Sequence, residues 1–490
     1  MNLHLAILGG YSLAMMALGL VLARRVHGAS DFFVARRQLG PGLIFSTMLA
    51  ANIGAGSTVG ATSVGYTAGM AAWWWVGSAA IGQVALAFWI GPAIRQVAAA
   101  HDLRTVGDYL EFRYSPAIRG VISTLLWIAS LFILAGQLFA IGSILNTVAR
   151  IPVSAGCTIG GAVIMVYFAA GGLLTAARVN VVQLAVKLGG FALALPIAAA
   201  AVGGWSAVTA VRGGDPEYWS FWRSGPPGMM YLALLTPSFV ISPGLLQKVF
   251  GARDDRAVRA GVGLNALGLL VYAIVPALLG IIARGRFPDL TLVNNALPMI
   301  LMYMLPPVVG AIGLAAVFSA EVSASDAVLF MLTTSLSQDL YKRFVNPRAT
   351  DARVLLVARG TTILAATLAI ALAIALGSVV DALTIFYTLL TVSLFVPILA
   401  GLYLPRASTH SAMASIACGV AAALAVQFTG GSAGIAGVTA ALAGLLAAVA
   451  GFVVVYVVST EPRHEVTPAT PRRHEDTKDI ASSFRRGSRS

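Results

Sequence analysis

The sequence predicts an all-α integral membrane protein of about thirteen transmembrane helices. Three observations predict it. Of 490 residues, 58% are hydrophobic, only 10% are charged, and the mean hydropathy is +0.86; soluble globular chains carry about 25% charged residues. Apolar runs of about 20 residues, the length that crosses a bilayer core, recur along the chain. Lys and Arg gather in alternate loops. Counted by side, 26 of the 32 fall on one side and 5 on the other, with Lys187 alone inside a run. That bias places the N-terminus outside and the C-terminus in the cytoplasm of a cell inner membrane.

The net charge of +13 does not point to nucleic acid, because the basic residues sit in short loops and a tail. Cys157 and Cys418 each lie in an apolar run and form no metal or disulfide spacing. Gly is abundant at 51 residues, as closely packed membrane helices require.

In order, the expected spans are 4–23, 41–66, 71–94, 120–148, 152–170, 179–203, 229–250, 260–282, 306–335, 354–377, 380–404, 411–428 and 436–458. The first is not a cleavable signal, since Arg24 and Arg25 follow the apolar run instead of preceding it. The run Trp73-Trp74-Trp75 reads as an outer-interface anchor, and loop 204–228, rich in Trp, Tyr, Gly and Pro, as an aromatic belt. Segment 284–305 is too polar to span and reads as a short external lid. Residues 461–490 read as a disordered basic cytoplasmic tail.

Two spans are interrupted. In 41–66 the stretch Ala50-Ala-Asn-Ile-Gly-Ala-Gly-Ser-Thr58 clusters Gly54 and Gly56 with Asn52 and two hydroxyls. Each Gly disfavours helix by about 0.8–1.0 kcal/mol against Ala, which invites an unwound backbone. In 229–250 the stretch Thr236 to Gly244 contains Pro237 and Pro243. Interrupted spans at matching places in two halves are the mark of an inverted-repeat transporter. Either alone is ordinary kinking or packing; as a pair five spans apart, they favour a site.

The stretch Phe318–Phe330 is apolar enough to span, yet carries Glu321, Asp326 and hydroxyls at Ser319, Ser323 and Ser325. A carboxylate at membrane depth costs roughly 2.5–3.5 kcal/mol on insertion scales, so an ion, a solute or a buried partner must offset it. Asp326 reads as a structural hydrogen-bonding group, and Asp339 with Lys342 as a solvated surface pair.

Four motifs carry a family resemblance over roughly residues 5–455: Asp31-Phe-Phe-Val-Ala-Arg-Arg-Gln-Leu39 before Ala50-Ala-Asn-Ile53; Gly171-Gly-Leu173 followed by Asn180 and Gln183; Ser242-Pro-Gly-Leu-Leu-Gln-Lys248; and Val322-Ser-Ala-Ser-Asp326 followed by Gln338-Asp-Leu-Tyr341. In this order the chain resembles the sodium:solute symporter family. The resemblance implies a LeuT-like core of two inverted five-helix repeats, residues 41–203 and 229–404. An extra helix and loop in 1–40 precede it, the external loop 204–228 joins the halves, and two extra helices in 405–460 follow. It implies alternating access at a central site, with sodium held at positions matching Ala50 and Ile53 of the first core helix and Ala320, Ser323 and Ala324 of the eighth. An acidic residue on the fifth core helix, near that site in the family, corresponds to Asn180.

This chain departs from that pattern. The paired hydroxyls become Ser323 and Ala324, and the acidic position becomes Asn180. Lys187 then appears seven residues on, along nearly the same helical face. Nine residues beyond Arg178 it sits roughly 13 Å into the bilayer, too deep to snorkel easily. Its ammonium can replace the missing sodium, and Glu321 can pair with it or add a sodium ligand. Two couplings therefore stand open: sodium at Ala50, Ile53, Ala320 and Ser323, or a proton-coupled or sodium-independent cycle built on Lys187 and Glu321. Asn52, Ser57, Gln137, Phe239 and Ser242 are the candidate substrate-binding residues.

The expected function is a secondary active transporter, a symporter, for a small polar organic solute. It needs no cofactor beyond sodium or a proton as coupling ion, is surrounded by lipid, acts as a monomer and binds no nucleic acid. A transporter-derived membrane sensor is disfavoured by a tail too short for a signalling domain. An enzyme is disfavoured because the spans hold no zinc motif and no Ser–His or paired-Asp arrangement.

Overall fold

The structure, a computed structural model, describes residues 3–23, 37–222, 226–431 and 434–458. Within these, side chains at 15–23, 166–182, 212–213, 226–229 and 351–352 are not described. The expected tail, Asn180's side chain and most of the Asp31–Leu39 motif therefore lie outside it. Among the described residues the molecule is nearly all helical, with ten helical runs long and apolar enough to cross a membrane.

The ten runs do not by themselves give the expected count of thirteen, because the run Gly56–Ala100 takes in parts of two expected spans and the helix Val153–Ala201 takes in two more. Helix α1 (Leu3–Ala23) matches the first expected span. The second begins as α2 (Pro41–Asn52), breaks, and resumes as a π-helical turn, Gly56–Gly60, leading into α3 (Ala61–Ala68). A tight turn at Gly69, φ +68°, then feeds α4 (Trp73–Ala85) and α5 (Gly91–Ala100), so helical backbone runs from Gly56 to Ala100. After the short α6 (Val106–Arg113), α7 (Pro116–Ala149) leads to α8, a single helix from Val153 to Ala201 where two spans were expected. The pair Gly171-Gly172 does not end it. Two glycines cost about 2 kcal/mol together, which is not enough to break a helix without a proline or a capping group.

The external loop holds α9 (Trp205–Thr209) and α10 (Pro216–Trp219). It is a strap and more than a surface belt. Tyr218 is fully buried and donates to the carbonyls of Gly65 and Tyr66, at 2.9 Å each. The Trp74 indole N–H donates to Phe221 O at 2.9 Å.

The second broken helix comprises α11 (Pro226–Ile241) and α12 (Pro243–Phe250), interrupted at Ser242. Pro243 lacks an amide N–H and starts the new helix, which is why the chain breaks there. Helices α13 (Asp255–Tyr272) and α14 (Ile274–Arg286) follow, and α15 (Ala296–Tyr303) lies in the segment expected to form a lid. The long α16 (Pro307–Thr334) continues as a π-helical stretch, Ser335–Val345. Helices α17 (Asp351–Leu376), α18 (Val379–Tyr403), α19 (Thr409–Gly430) and α20 (Ala440–Val458) complete the chain.

Small residues set the closest helix approach. A Cβ on Gly65 would lie 2.6 Å from Ala277 O, and one on Gly280 would meet the backbone of Thr62 and Tyr66. The outer part of the first broken helix and α14 thus touch backbone to backbone. At the other end, the two broken helices are joined by Leu39 N–H to Gly251 O (3.0 Å) and Arg253 N–H to Leu39 O (3.1 Å).

The stretch after α16 corrects one expectation. Asp339 is buried and ion-paired with Arg119, which also holds Asp108 at 3.0 Å and Glu111 at 2.8 Å. Arg343 pairs with Glu111 as well. Packing of the π-helical stretch against α7 brings Asp339 to Arg119, which spacing along one helix could not reveal.

Candidate functional site

The site is built by the break after α2. Ile53 leaves the helix at φ −91°, ψ 84°, and the chain does not resume helical form until Gly56. Helix ends expose unpaired carbonyls on one side and unpaired N–H groups on the other. In this break both sets find partners within the chain.

The carbonyl side faces Lys187. Its Nζ donates to Ala50 O and to Ile53 O, each at 3.2 Å, and the residue is fully buried. These are two of the positions at which the family resemblance implies sodium. Glu321 is also fully buried; its Oε1 accepts a hydrogen bond from the Thr58 hydroxyl at 2.8 Å, while its Oε2 has no partner. Lys187 and Glu321 do not form a contact ion pair among the described residues. The lysine donates to carbonyls and one oxygen of the glutamate accepts from a hydroxyl, so of the two roles left open for Glu321 the direct pairing is not observed. Ala320, Ser323 and Ala324 are buried on the same helix as Glu321. The Ala324 methyl lies 2.9 Å from where a Cβ on Gly54 would be, so methyl and glycine close the space between the break and α16. Asp326 is buried, and its Oδ1 has no partner among the described residues.

The N–H side faces Gln137 and Ser57. Ala55 N–H donates to Gln137 Oε1 at 2.9 Å, and Gly54 N–H to Ser57 Oγ at 3.2 Å. The Ser57 hydroxyl in turn donates to Asn52 O at 2.7 Å. Asn52 is oriented by a carboxamide chain: its Nδ2 donates to Asn265 Oδ1 at 3.5 Å, and Asn265 Nδ2 donates to Gln83 Oε1.

Beside the break lies a cavity of about 60 Å³, lined by Asn52, Ser57 and Gln137 and by the rings of Trp75, Phe239 and Tyr387. Four of the five expected substrate residues therefore converge. Ser242 does not line this cavity; it stands at the N-cap position of α12, three residues beyond Phe239, without a side-chain capping bond. Trp75 and Tyr387 were missed. Trp75 sits in a run that reads as an interface anchor, yet it is buried and its indole N–H donates to Gly56 O at 2.7 Å. Only the tertiary fold shows that partner. Tyr387 lies in an apolar run with no local signal.

A family-wide profile of the Sodium:solute symporter family matches residues 32–419. The chain is 25% identical over 335 residues to a high-affinity choline transporter of Caenorhabditis elegans, covering 64% of this chain and 58% of that protein. It is 26% identical over 332 residues to the sodium/pantothenate symporter of Escherichia coli, covering 64% of this chain and 66% of that protein. Both alignments thus span less than two thirds of the relative. Against the sodium/glucose cotransporter of Vibrio parahaemolyticus identity is 23% over 471 residues, covering 85% and 84%. The fold is shared with a Na+-coupled sialic acid symporter solved in a substrate-bound outward-open state, at TM-score 0.77, 18% identity and coverage of 94% and 99%. These relatives are transporters and not enzymes. With a profile match over most of its length and ten membrane-length helical runs, the chain is a multi-pass membrane protein that belongs to the sodium:solute symporter family.

Proposed function

We propose that the chain is a secondary active transporter that moves a small polar organic solute by alternating access at the break after α2. The observation that carries this reading is the cavity itself, placed where two interrupted helices meet and lined by polar side chains at membrane depth. Residues 41–203 and 229–404 form the two inverted halves, with 1–40 and 405–460 as additions, in a monomer surrounded by lipid. The Lys and Arg bias orients it with the N-terminus outside and the C-terminus in the cytoplasm. The solute binds at Asn52, Ser57, Gln137 and Phe239.

Sodium is the coupling ion that family membership supports. A specific observation favours a second reading. An ammonium already donates to Ala50 O and Ile53 O, and position 324 offers no hydroxyl. A cation at that place would have to displace Lys187. In this reading Lys187 supplies the positive charge that sodium supplies elsewhere in the family, and solute movement is proton-coupled or independent of sodium.

Proteoliposomes holding the full chain test the transporter reading. Radiolabelled proline, glucose, choline, uracil and nicotinamide are offered with a sodium gradient, a proton gradient or neither. Accumulation of one of them above its outside concentration, under one gradient only, is the expected result. Equilibration without accumulation would instead indicate a channel.

A further inference from the structure

The break after α2 brings its own counter-groups to both of its ends. Half-helix N-termini at mid-membrane carry partial positive charge and receive anionic groups of transported solutes, while unwound carbonyls receive cations. Here the N–H groups of Gly54 and Ala55 are taken by Ser57 Oγ and Gln137 Oε1. The carbonyls of Ala50 and Ile53 are taken by Lys187. Among the described residues, no charged side chain lines the cavity. A carboxylate entering it would meet no cationic side chain and would find the N–H groups of Gly54 and Ala55 already taken, and a cation would meet aromatic faces but no carboxylate. Burying an unpaired charge is strongly unfavourable.

The cavity's remaining hydrogen-bonding capacity is neutral and has a direction. Because Gln137 Oε1 accepts from Ala55, its Nε2 is the donor left over; it has no partner among the described residues, and the residue is only 3% exposed. Because Asn52 Nδ2 points to Asn265, its Oδ1 is the acceptor left over. Trp75, Phe239 and Tyr387 supply flat apolar faces around them. One donor and one acceptor, both uncharged, match a carbonyl and an adjacent N–H on the solute.

We propose that the transported solute is a small uncharged amide or ureide, with its carbonyl on Gln137 Nε2, its N–H on Asn52 Oδ1 and its flat face against the aromatic rings. This deepens the transporter reading and rests on it. Gln137 then serves two ends at once. It closes the half-helix where a carboxylate would bind, and it offers the amide donor in the carboxylate's place.

The test is thermal unfolding of the full-length purified protein with matched pairs that differ in charge: nicotinamide against nicotinate, uracil against orotate, and 2-pyrrolidone against proline, with choline as the cation. At least one amide is expected to raise Tm by a few degrees while its charged counterpart does not. The variant Gln137→Glu keeps an oxygen for Ala55 N–H and removes the donor, so it is expected to weaken the responding amide about tenfold, the scale of one hydrogen bond. Should that variant fail to fold, the wild-type panel decides alone. A shift by nicotinate, orotate, proline or choline equal to that of the amides, or no shift by any amide, overturns the proposal. Uptake of a charged solute would remove this inference and leave the transporter reading standing. Binding of an amide without uptake into vesicles would do the reverse.

Discussion

Lys187 and Thr58 are the residues on which the interior balance turns. A lone carboxylate at membrane depth requires a partner, and Glu321 finds one in the Thr58 hydroxyl. Replacing Thr58 by Val keeps the shape and removes the donor. The loss is expected to be about 1–3 kcal/mol, the cost of leaving a buried acceptor without its donor, read as a lower Tm than wild type. An unchanged Tm would mean that Glu321 does not depend on that hydroxyl. Lys187 was legible in the sequence as a buried amine, because counting from Arg178 put it near mid-bilayer. Its partners were less legible. Helical spacing placed Glu321 beside the same patch, but the choice between carboxylate and carbonyls depends on how the chain unwinds after α2. Gln137 was legible as a candidate for the substrate cavity, and only the fold shows that its Oε1 accepts from Ala55 N–H.

At the scale of helices, both breaks were legible because their causes are local. Gly54 and Gly56 unwind one, and Pro243 restarts the other. What local sequence could not show is which helices continue through weak punctuation, so α8 runs unbroken across two expected spans. The strap over the outer end was equally hidden. Its Trp and Tyr content suggested the lipid interface, whereas Tyr218 instead hydrogen-bonds the backbone of α3. Close packing of α3 on α14 through Gly65 and Gly280 gives a sharp expectation. Gly280→Ala places a methyl against backbone that cannot move aside. It is expected to destabilise by roughly 1–3 kcal/mol, as overpacking does, seen as a lower Tm. Gly360→Ala, where nothing lies within 4 Å, is the control and should leave Tm nearly unchanged or slightly raised.

For the whole molecule, the two ends of the bundle are held differently. The strap closes one by side-chain hydrogen bonds to backbone carbonyls. The other is tied by the Leu39 backbone bonds and by charges, with Arg119 joining α6, α7 and the stretch after α16. Burial alone would push the Glu111 carboxyl up from its ordinary 4.5, but hydrogen bonds from Arg343 and Arg119 outweigh it and hold the carboxyl lower. A lowered carboxylate contributes stability that is fully present above its ordinary value and is lost as pH falls through the lowered one. Tm of the wild type should therefore fall between pH 5 and pH 3 more steeply than that of Glu111→Gln. Parallel curves would show that Glu111 plays no part in holding that end together.

The central claim is that an ammonium on Lys187 stands where the family's cation would stand. The most direct measurement is the initial uptake rate, into proteoliposomes, of the solute that raises Tm most, with and without a sodium gradient, for the wild type and Lys187→Ala. A wild-type rate indifferent to sodium, together with a rate that collapses in Lys187→Ala, is the predicted result. Sodium-stimulated uptake that Lys187→Ala leaves unaffected would contradict it.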